Sequence, residues 1–219
     1  MGQLSEKRIL ITAGPTQEPI DPVRYISNRS SGKMGLALAY SAISLGAEVK
    51  LILGPIAIKP ETNNKLKIYD VVTAEEMLAK VKETFKDADL IIMSAAVSDF
   101  KVSEQSLVKI KKSFEEDSMT LHLIKNPDIL KWCSDNKQFH QIVVGFALET
   151  DNALINAKKK INRKGCDWLV LNTLENEKAG FALDTNHISI LKKTGEVFNF
   201  TAKSKTDVAS DIFQTILNN

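Results

Sequence analysis

Residues 8–35 read RILITAGPTQEPIDPVRYISNRSSGKMG, and this stretch decides the fold that the sequence predicts. The run RILIT is short, apolar and rich in β-branched residues, which is typical of a strand. From Met34 to Gly46, apolar residues recur at helical spacing. The connection between them is long and contains three prolines, whereas compact domains usually join such elements with a few residues. We therefore expect this loop to bind a ligand rather than to act as a simple linker.

Ser30, Ser31 and Gly32 stand where the helix is expected to begin. Serine hydroxyls and unpaired backbone N–H groups at a helix N-terminus attract anions, so this segment is a candidate phosphate site. The alternative is that Ser31 is an ordinary cap and that Gly32 and Gly35 only permit close packing on the sheet. Two familiar phosphate motifs are absent. SNRSSGKM lacks the leading glycine of a P-loop and has Met34 at the position where that motif needs Ser or Thr. GKMG is only a fragment of the dinucleotide-binding glycine fingerprint, and it lies far from the end of the strand.

Composition favours one folded domain over residues 1–219, since 43% of the residues are hydrophobic. The net charge of +2 and the pI of about 8.4 give no general argument for binding nucleic acid. Cys133 and Cys166 are isolated and the histidines are scattered, which argues against a zinc site and fits a reducing compartment. The polar N-terminus and the lack of a long apolar run favour a cytoplasmic protein without signal peptide or membrane span.

Strands and helices alternate along the rest of the chain. The runs ADLIIMSAAV, QIVVGFALET and CDWLVLNT are almost continuously apolar, as in strands buried on both faces of a parallel sheet. AEVKLILGP and KIYDVV predict two further strands. We predict an α/β fold, a Rossmann-like, doubly wound and mainly parallel sheet with helices on both faces. Two alternating segments around KKTGE predict a C-terminal β-hairpin extension, in a region of about 174–203.

Four more helices are predicted between and after these strands. AEEMLAKVKETF follows a capping box formed by Thr73 and Glu76. KNPDILKWCSD begins a helix with Asn126 as its cap and Pro127 in the first helical position, and its N-terminus is a second candidate anion site. NALINAKKKINRKG and TDVASDIFQTIL complete the set, the latter with Thr206 as its cap.

Several residues near the ends of these elements are candidate ligands. Ala95, Ala96 and Asp99 follow a buried strand, at the edge where open α/β sheets bind ligands; a turn cap is the alternative for Asp99. Lys109 lies in a polar segment with further lysines, which is either a solvated loop or a flap over a polyphosphate. The second half of NALINAKKKINRKG is basic, and two interpretations are open. Its lysines and arginine either face solvent and complement the helix dipole, or they bind a ligand.

The chain contains five motifs, ITAGPTQEPIDPVRYISNRSSGKMG, SAAVSDF, KIKK, KNPDIL and VVGFALET. In order and approximate spacing they resemble those of bacterial phosphopantothenoylcysteine synthetase, also called phosphopantothenate-cysteine ligase. The chain resembles this family over essentially its whole length, and the first motif is highly specific. In many bacteria the unit is the C-terminal half of a protein whose N-terminal half is a flavin-dependent decarboxylase, so such a decarboxylase is an expected fused or separate partner.

The resemblance implies a ligase that joins 4′-phosphopantothenate to L-cysteine in coenzyme A biosynthesis through an acyl-nucleotidylate, with magnesium. Because KIKK and KNPDIL look bacterial, it implies CTP rather than ATP, and an acyl-cytidylate. It also implies a homodimer, with the region of about 174–203 as the expected place of subunit pairing.

The resemblance also implies roles for individual residues. Asn28 is expected to contact the pantothenate carboxyl and the acyl intermediate, and Lys109 is expected to be the flap lysine needed for turnover. Arg24 resembles an arginine that reaches the phosphopantothenate of the neighbouring subunit, and Asp99 is the expected magnesium ligand. The substrate positions are Arg24, Asn28, Ala95, Ala96 and Asp99. The nucleotide positions are Gly14, Ser30, Gly32, Gly35, Met93, Ser94, Ala95, Asp99, Lys109, Pro127, Asp128, Ile129, Leu130, Phe146, Lys160, Lys164 and Asn172.

Two other functional classes compete with the ligase. A Rossmann oxidoreductase that binds NAD(P) requires a glycine fingerprint directly after the first strand, and AGPTQE does not supply it. A non-catalytic nucleic-acid-binding module would use the lysine-rich helix, but the few aromatic residues and the nearly neutral charge argue against this class.

Overall fold

The structure is a computed structural model that describes residues 2–57, 59–111, 118–149, 151–173 and 185–219. In chain order its strands are β1 Arg8–Ala13, β2 Gln17–Pro19, β3 Tyr25–Ser27, β4 Glu48–Leu53, β5 Leu66–Asp70, β6 Leu90–Met93, β7 Phe100–Val102, β8 Leu123–Lys125, β9 Ile142–Glu149, β10 Trp168–Thr173, β11 Thr185–Asn186, β12 Ile188–Lys192, β13 Val197–Asn199 and β14 Lys203–Ser204. The helices are α1 Lys33–Ser44, α2 Ala74–Thr84, α3 Ile129–Asn136, α4 Ala153–Lys164 and α5 Lys205–Asn218.

Eight strands form one sheet in the order β13-β12-β10-β9-β6-β1-β4-β5. The pairs from β10 to β5 are all parallel, while β12 and β13 are antiparallel and complete one edge. The predicted mainly parallel α/β fold is thus confirmed. The hairpin predicted around KKTGE is also present, and it continues the central sheet. Residues 174–184 of the predicted pairing region lie outside the described residues.

The core consists of two apolar layers, one on each face of the sheet. In β1, Ile9 and Ile11 belong to the layer under α1 and α5, whereas Leu10 belongs to the layer under α2, α3 and α4. This alternation is the two-residue period of a strand, and it explains why an uninterrupted apolar run is needed where helices cover both faces. No helix within the described ranges is long and apolar enough to span a bilayer.

The predicted start of α3 is wrong by two positions. Asp128 is the N-cap residue and accepts a hydrogen bond from the backbone N–H of Lys131 at 3.0 Å. Asn126 does not cap the helix, because its amide nitrogen donates to the carbonyl of Ser98 at 2.9 Å. Pro127 therefore precedes the helix instead of occupying its first turn.

The start of α5 also differs from the prediction, whereas that of α2 agrees with it. Ser204 has an extended backbone and accepts a hydrogen bond from the N–H of Asp207 at 3.1 Å, so it caps α5. Thr206 lies inside the first turn, where its hydroxyl is in the wrong position to cap the same group. For α2 the Thr73–Glu76 capping box is present as predicted.

Candidate active site

The long loop between β1 and α1 folds back over the end of β6. It contains the short hairpin of β2 and β3, which the sequence analysis did not anticipate. Ser27 donates to the carbonyl of Thr16 at 2.7 Å, and the Thr16 hydroxyl accepts from the N–H of Ser98 at 3.0 Å. Asn28 donates from its amide nitrogen to the carbonyl of Val97 at 2.8 Å. These bonds hold Asn28 beside the segment that follows β6.

Helix α1 begins at the rim of a cavity. Gly32 is its N-cap residue, with a positive φ of 74° and no side-chain hydrogen bond, so the alternative of Ser31 as the cap is wrong. The Ser30 hydroxyl instead accepts from the N–H of Gly32 at 3.3 Å. The packing role of Gly35 is confirmed, because a Cβ on this residue would lie 2.3 Å from the Cβ of Ala13. The first turn of α1 therefore lies tightly against the end of β1.

Two cavities open along the carboxyl ends of the parallel strands. The α3 cavity, of about 400 Å³, is bounded by the start of α3 and by lysines of α4. The α1 cavity, of about 450 Å³, is bounded by the start of α1 and by Asn172 at the end of β10. The two cavities share the lining residues Ala95, Val97, Asp99, Phe146 and Lys160. A ligand longer than either cavity can extend through both along this shared wall.

Most of the residues that the sequence analysis proposed for the site line one or both of these cavities. The α3 cavity contains Met93, Ala95, Asp99, Pro127, Asp128, Ile129, Leu130, Phe146, Lys160 and Lys164. The α1 cavity contains Asn28, Ser30, Gly32, Gly35, Ser94, Ala95, Ala96, Asp99, Phe146, Lys160 and Asn172. Residues far apart in sequence thus meet at one edge of the sheet.

Three proposed residues, Gly14, Arg24 and Lys109, line neither cavity. The Gly14 carbonyl accepts from the N–H of Ala96 at 2.9 Å, so it supports the cavity wall. Arg24 donates to Asp21 at 2.6 Å, and Asp21 also accepts from the N–H of Ile110 at 3.1 Å. Lys109, which precedes Ile110 in the chain, is exposed. The roles of Arg24 and Lys109 stay predictions, and Lys112, another lysine of that segment, lies outside the described residues.

The lining of the α1 cavity is strongly basic. Arg29, Lys33, Lys160 and Lys205 line it, whereas Asp99 is the one carboxylate among its described lining residues. Burial lowers the pKa of Lys160, although the carboxylates of Glu149 and Asp99 partly oppose that shift. An anionic ligand in this cavity would be attracted by these cations and would offset the repulsion between them.

In the α3 cavity, Lys164 forms an ion pair with Asp128. Burial raises the pKa of the Asp128 carboxyl, but the hydrogen bonds from Lys164 and from the backbone of Lys131 outweigh burial, so the net pKa lies below 3.8. Lys164 is therefore held at the cavity by the residue that caps α3. A nucleotide that contacts Lys164 would share it with Asp128.

The sequence analysis missed two buried residues of the α1 cavity, Asn186 and Lys205. The amide oxygens of Asn172 and Asn186 are buried and have no hydrogen-bond partner among the described residues. The same holds for Asn126, which lines the α3 cavity. Because an unpaired buried acceptor is costly, these three oxygens are candidates to accept hydrogen bonds from a ligand. No local motif marks Asn186 or Lys205, since only tertiary pairing brings them to the site.

The donor set fits a magnesium ion that arrives with its phosphates. The described part of the chain has no group of three or more His, Cys, Asp or Glu residues that could hold a metal. Asp99 provides one carboxylate to both cavities. Mg²⁺ often binds through one or two carboxylates together with substrate phosphates and water. Asp99 is therefore the residue that would hold a magnesium ion entering with a phosphate ligand.

Residues 4–219 match the family of DNA/pantothenate metabolism flavoprotein C-terminal domains. The chain belongs to this family. One relative, named cysteine/cysteine sulfinic acid decarboxylase and from an unknown prokaryotic organism, is 44% identical over 214 residues, covering 98% of this chain and 59% of the relative. The coenzyme A biosynthesis bifunctional protein CoaBC of Bacillus subtilis is 40% identical over 213 residues, covering 97% of this chain and 52% of that protein.

This chain thus spans about half the length of the curated family relatives that it matches. Among solved structures, it is similar to the crystal structure of the C-terminal domain of CoaBC, with a TM-score of 0.82 and 36% identity. That likeness covers 99% of this chain and 97% of the solved chain. The similarity therefore extends over nearly the whole chain.

Proposed function

We propose that this chain is a phosphopantothenate-cysteine ligase of coenzyme A biosynthesis. It would join 4′-phosphopantothenate to L-cysteine through an acyl-cytidylate and release pyrophosphate and CMP. The wall shared by the two cavities, with Ala95, Asp99 and Phe146, carries this proposal. A carboxylate and a nucleotide can react only where their binding regions meet. Family membership and the relatives named CoaBC support the choice of substrates.

In the first step, a carboxylate oxygen of phosphopantothenate attacks the α-phosphorus of CTP. The bond from that phosphorus to the bridging oxygen breaks, and pyrophosphate leaves with the electron pair. The reaction gathers negative charge, which preorganised cations stabilise. Lys160 lies on the shared wall, which supports assigning it this task. Mg²⁺, when bound through Asp99 and the phosphates, would supply further neutralisation of phosphate charge.

In the second step, the cysteine amine attacks the acyl carbon. CMP leaves with the former carboxylate oxygen, and the nitrogen loses a proton as the amide forms. The Asn28 amide donates one hydrogen to Val97 at 2.8 Å. Its second hydrogen is the donor that we assign to the acyl carbonyl oxygen, where negative charge develops. The hydrogen bond to Val97 would keep Asn28 in place through both steps.

The proposal extends to assembly and nucleotide choice. Arg24 would reach the phosphopantothenate of a second subunit in a homodimer, and the segment around the C-terminal hairpin would contribute to subunit pairing. CTP would be preferred to ATP. The relatives named bifunctional protein CoaBC, together with the relative named cysteine/cysteine sulfinic acid decarboxylase, support a decarboxylase as a fused or separate partner.

Oxygen labelling tests the proposed intermediate. With ¹⁸O in the carboxylate of phosphopantothenate, one labelled oxygen is expected in CMP and none in pyrophosphate. Label in orthophosphate together with release of CDP would instead show an acyl phosphate and contradict the proposal.

The variant Asn28→Ala tests the assigned donor. Because it removes stabilisation of the oxyanion, we expect acyl-cytidylate to accumulate after cysteine is added. Asn64→Ala, which changes an exposed asparagine near the amino end of β5, is the matched control and should turn over normally. Normal turnover by Asn28→Ala would remove Asn28 from the mechanism.

A further inference from the structure

The last third of the chain contributes a buried cation to the α1 cavity. Lys205 is the first residue of α5, is only 8% exposed and lines the cavity beside the start of α1. A lysine at a helix N-terminus stands at the positive end of the helix dipole. Burial of an ammonium group adds a desolvation cost. The helix dipole and burial therefore both disfavour an ammonium group at this position.

Strand pairing explains how Lys205 and Asn186 reach the same wall. β11 pairs with β14 so that Asn186 lies opposite Lys203, which places Asn186 close to the start of α5. The Asn186 amide nitrogen also contacts the sulfur of Met34 in α1 at 3.5 Å. Asn186 is 5% exposed, and its amide oxygen has no partner among the described residues. The starts of α1 and α5 thus meet at a buried polar wall.

The charge of this wall identifies the chemistry of its ligand. The cations Arg29, Lys33, Lys160 and Lys205 line the α1 cavity, which the first turn of α1 also lines, and Asp99 is the acidic residue among the described lining. Helix N-termini and clustered ammonium groups together bind phosphates. The side chain of Asn186 is a neutral amide, so it does not repel an anion as a carboxylate at the same position would. The wall therefore suits a group with several negative charges.

We propose that Lys205 binds the β- and γ-phosphoryl groups of the nucleoside triphosphate, the part that leaves as pyrophosphate. This assignment rests on the proposed function. The nucleoside would then occupy the α3 cavity and the α-phosphate the shared wall at Ala95 and Asp99. Asn186 is a positioning residue that keeps the neighbouring wall polar and uncharged. The C-terminal helix thus takes part directly in nucleotide binding.

Calorimetric titration with inorganic pyrophosphate, CTP and CMP tests this inference in the full chain. Lys205→Met removes the ammonium but keeps an unbranched side chain, so we expect affinity for pyrophosphate and CTP to fall by about 10- to 100-fold. Affinity for CMP should not change, because CMP lacks the two outer phosphates. Lys205→Arg should retain binding of pyrophosphate, since it preserves the charge.

Two further variants separate a ligand contact from a fold defect. Asn186→Asp places a carboxylate at the wall without removing Lys205, and it should also weaken binding of pyrophosphate and CTP but not of CMP. Lys203→Met is the matched control, because Lys203 pairs with Asp211 at 2.8 Å and does not line either cavity. We expect this control to bind all three ligands like the unmodified protein.

Equal losses for CTP and CMP in Lys205→Met would overturn the assignment, as would unchanged affinity for pyrophosphate in that variant. These titrations contain neither phosphopantothenate nor cysteine. If the chain proved not to be a ligase, a selective loss of pyrophosphate binding in Lys205→Met would still support the role of Lys205. If the titrations contradicted that role, the ligase assay could still show product formation.

Discussion

Replacement of Gly35 by alanine tests whether close packing of α1 on β1 sets the geometry of the α1 cavity. The new Cβ would lie 2.3 Å from the Cβ of Ala13 and 3.0 Å from the hydroxyl oxygen of Ser94. Carbon atoms pack at about 3.5–4.0 Å, so the start of α1 must move away from β1 by roughly 1 Å or more. Overpacking of this kind costs about 1–3 kcal/mol of folding free energy.

The same displacement moves the first turn of α1, which lines the α1 cavity. A shift of about 1 Å in a positioning element can reduce activity by about 100-fold. We therefore expect Gly35→Ala to lower both the free energy of unfolding, measured in urea, and the affinity for CTP, measured by calorimetry. The rate of product formation should fall with them.

Gly195→Ala is the matched control. Gly195 turns the hairpin between β12 and β13 with a φ of 114°, and a Cβ there would meet nothing within 4 Å. Alanine would therefore cost about 1–3 kcal/mol through backbone strain alone. We expect this variant to lose stability but to keep its affinity for CTP. Normal CTP affinity and normal stability in Gly35→Ala, or equal loss of affinity in both variants, would refute the reasoning.

Other predictions concern pH, thiol reactivity and the second subunit. The pKa of Asp128 is lowered in the folded state. The ionised carboxylate therefore stabilises the fold fully above the unfolded pKa of about 3.8, and this contribution is lost as pH falls through the folded pKa. In urea titrations, Asp128→Ala should lower the free energy of unfolding by about 1 kcal/mol at pH 7 and by less near pH 3. Burial raises the pKa of Cys133 to about 12 and of Cys166 to about 11, so iodoacetamide at pH 8 should label both only after unfolding; rapid labelling of the native protein would contradict their burial. Arg24→Ala should raise the KM for phosphopantothenate and not that for cysteine, and the opposite pattern would count against its phosphate role.

The inner strands of the central sheet, such as β1 and β6, were predictable because they are buried on both faces and so read as continuous apolar runs. The α2 capping box was predictable because Thr73 and Glu76 interact within one turn. The cap of α3 was less predictable, since Asn126 and Asp128 both have suitable side chains. The bond from Asn126 to Ser98, which is distant in sequence, decides between them.

The candidate site was predictable to the extent that its residues follow strands or begin helices. Asp99 and Asn172 follow this rule, because the carboxyl ends of parallel strands meet at one edge. Asn186 and Lys205 do not, since pairing of β11 with β14 brings them to the α1 cavity. Sequence periodicity contains no information about such a short pairing. The resemblance to a family identified motifs but not these two residues.

The most direct test of the ligase proposal is pyrophosphate release with 4′-phosphopantothenate, L-cysteine and magnesium, with CTP and ATP compared in parallel. We expect release that depends on phosphopantothenate and is faster with CTP, followed by formation of 4′-phosphopantothenoylcysteine. Faster release with ATP would keep the reaction but contradict the proposed nucleotide. No release of pyrophosphate with either nucleotide would contradict the central claim.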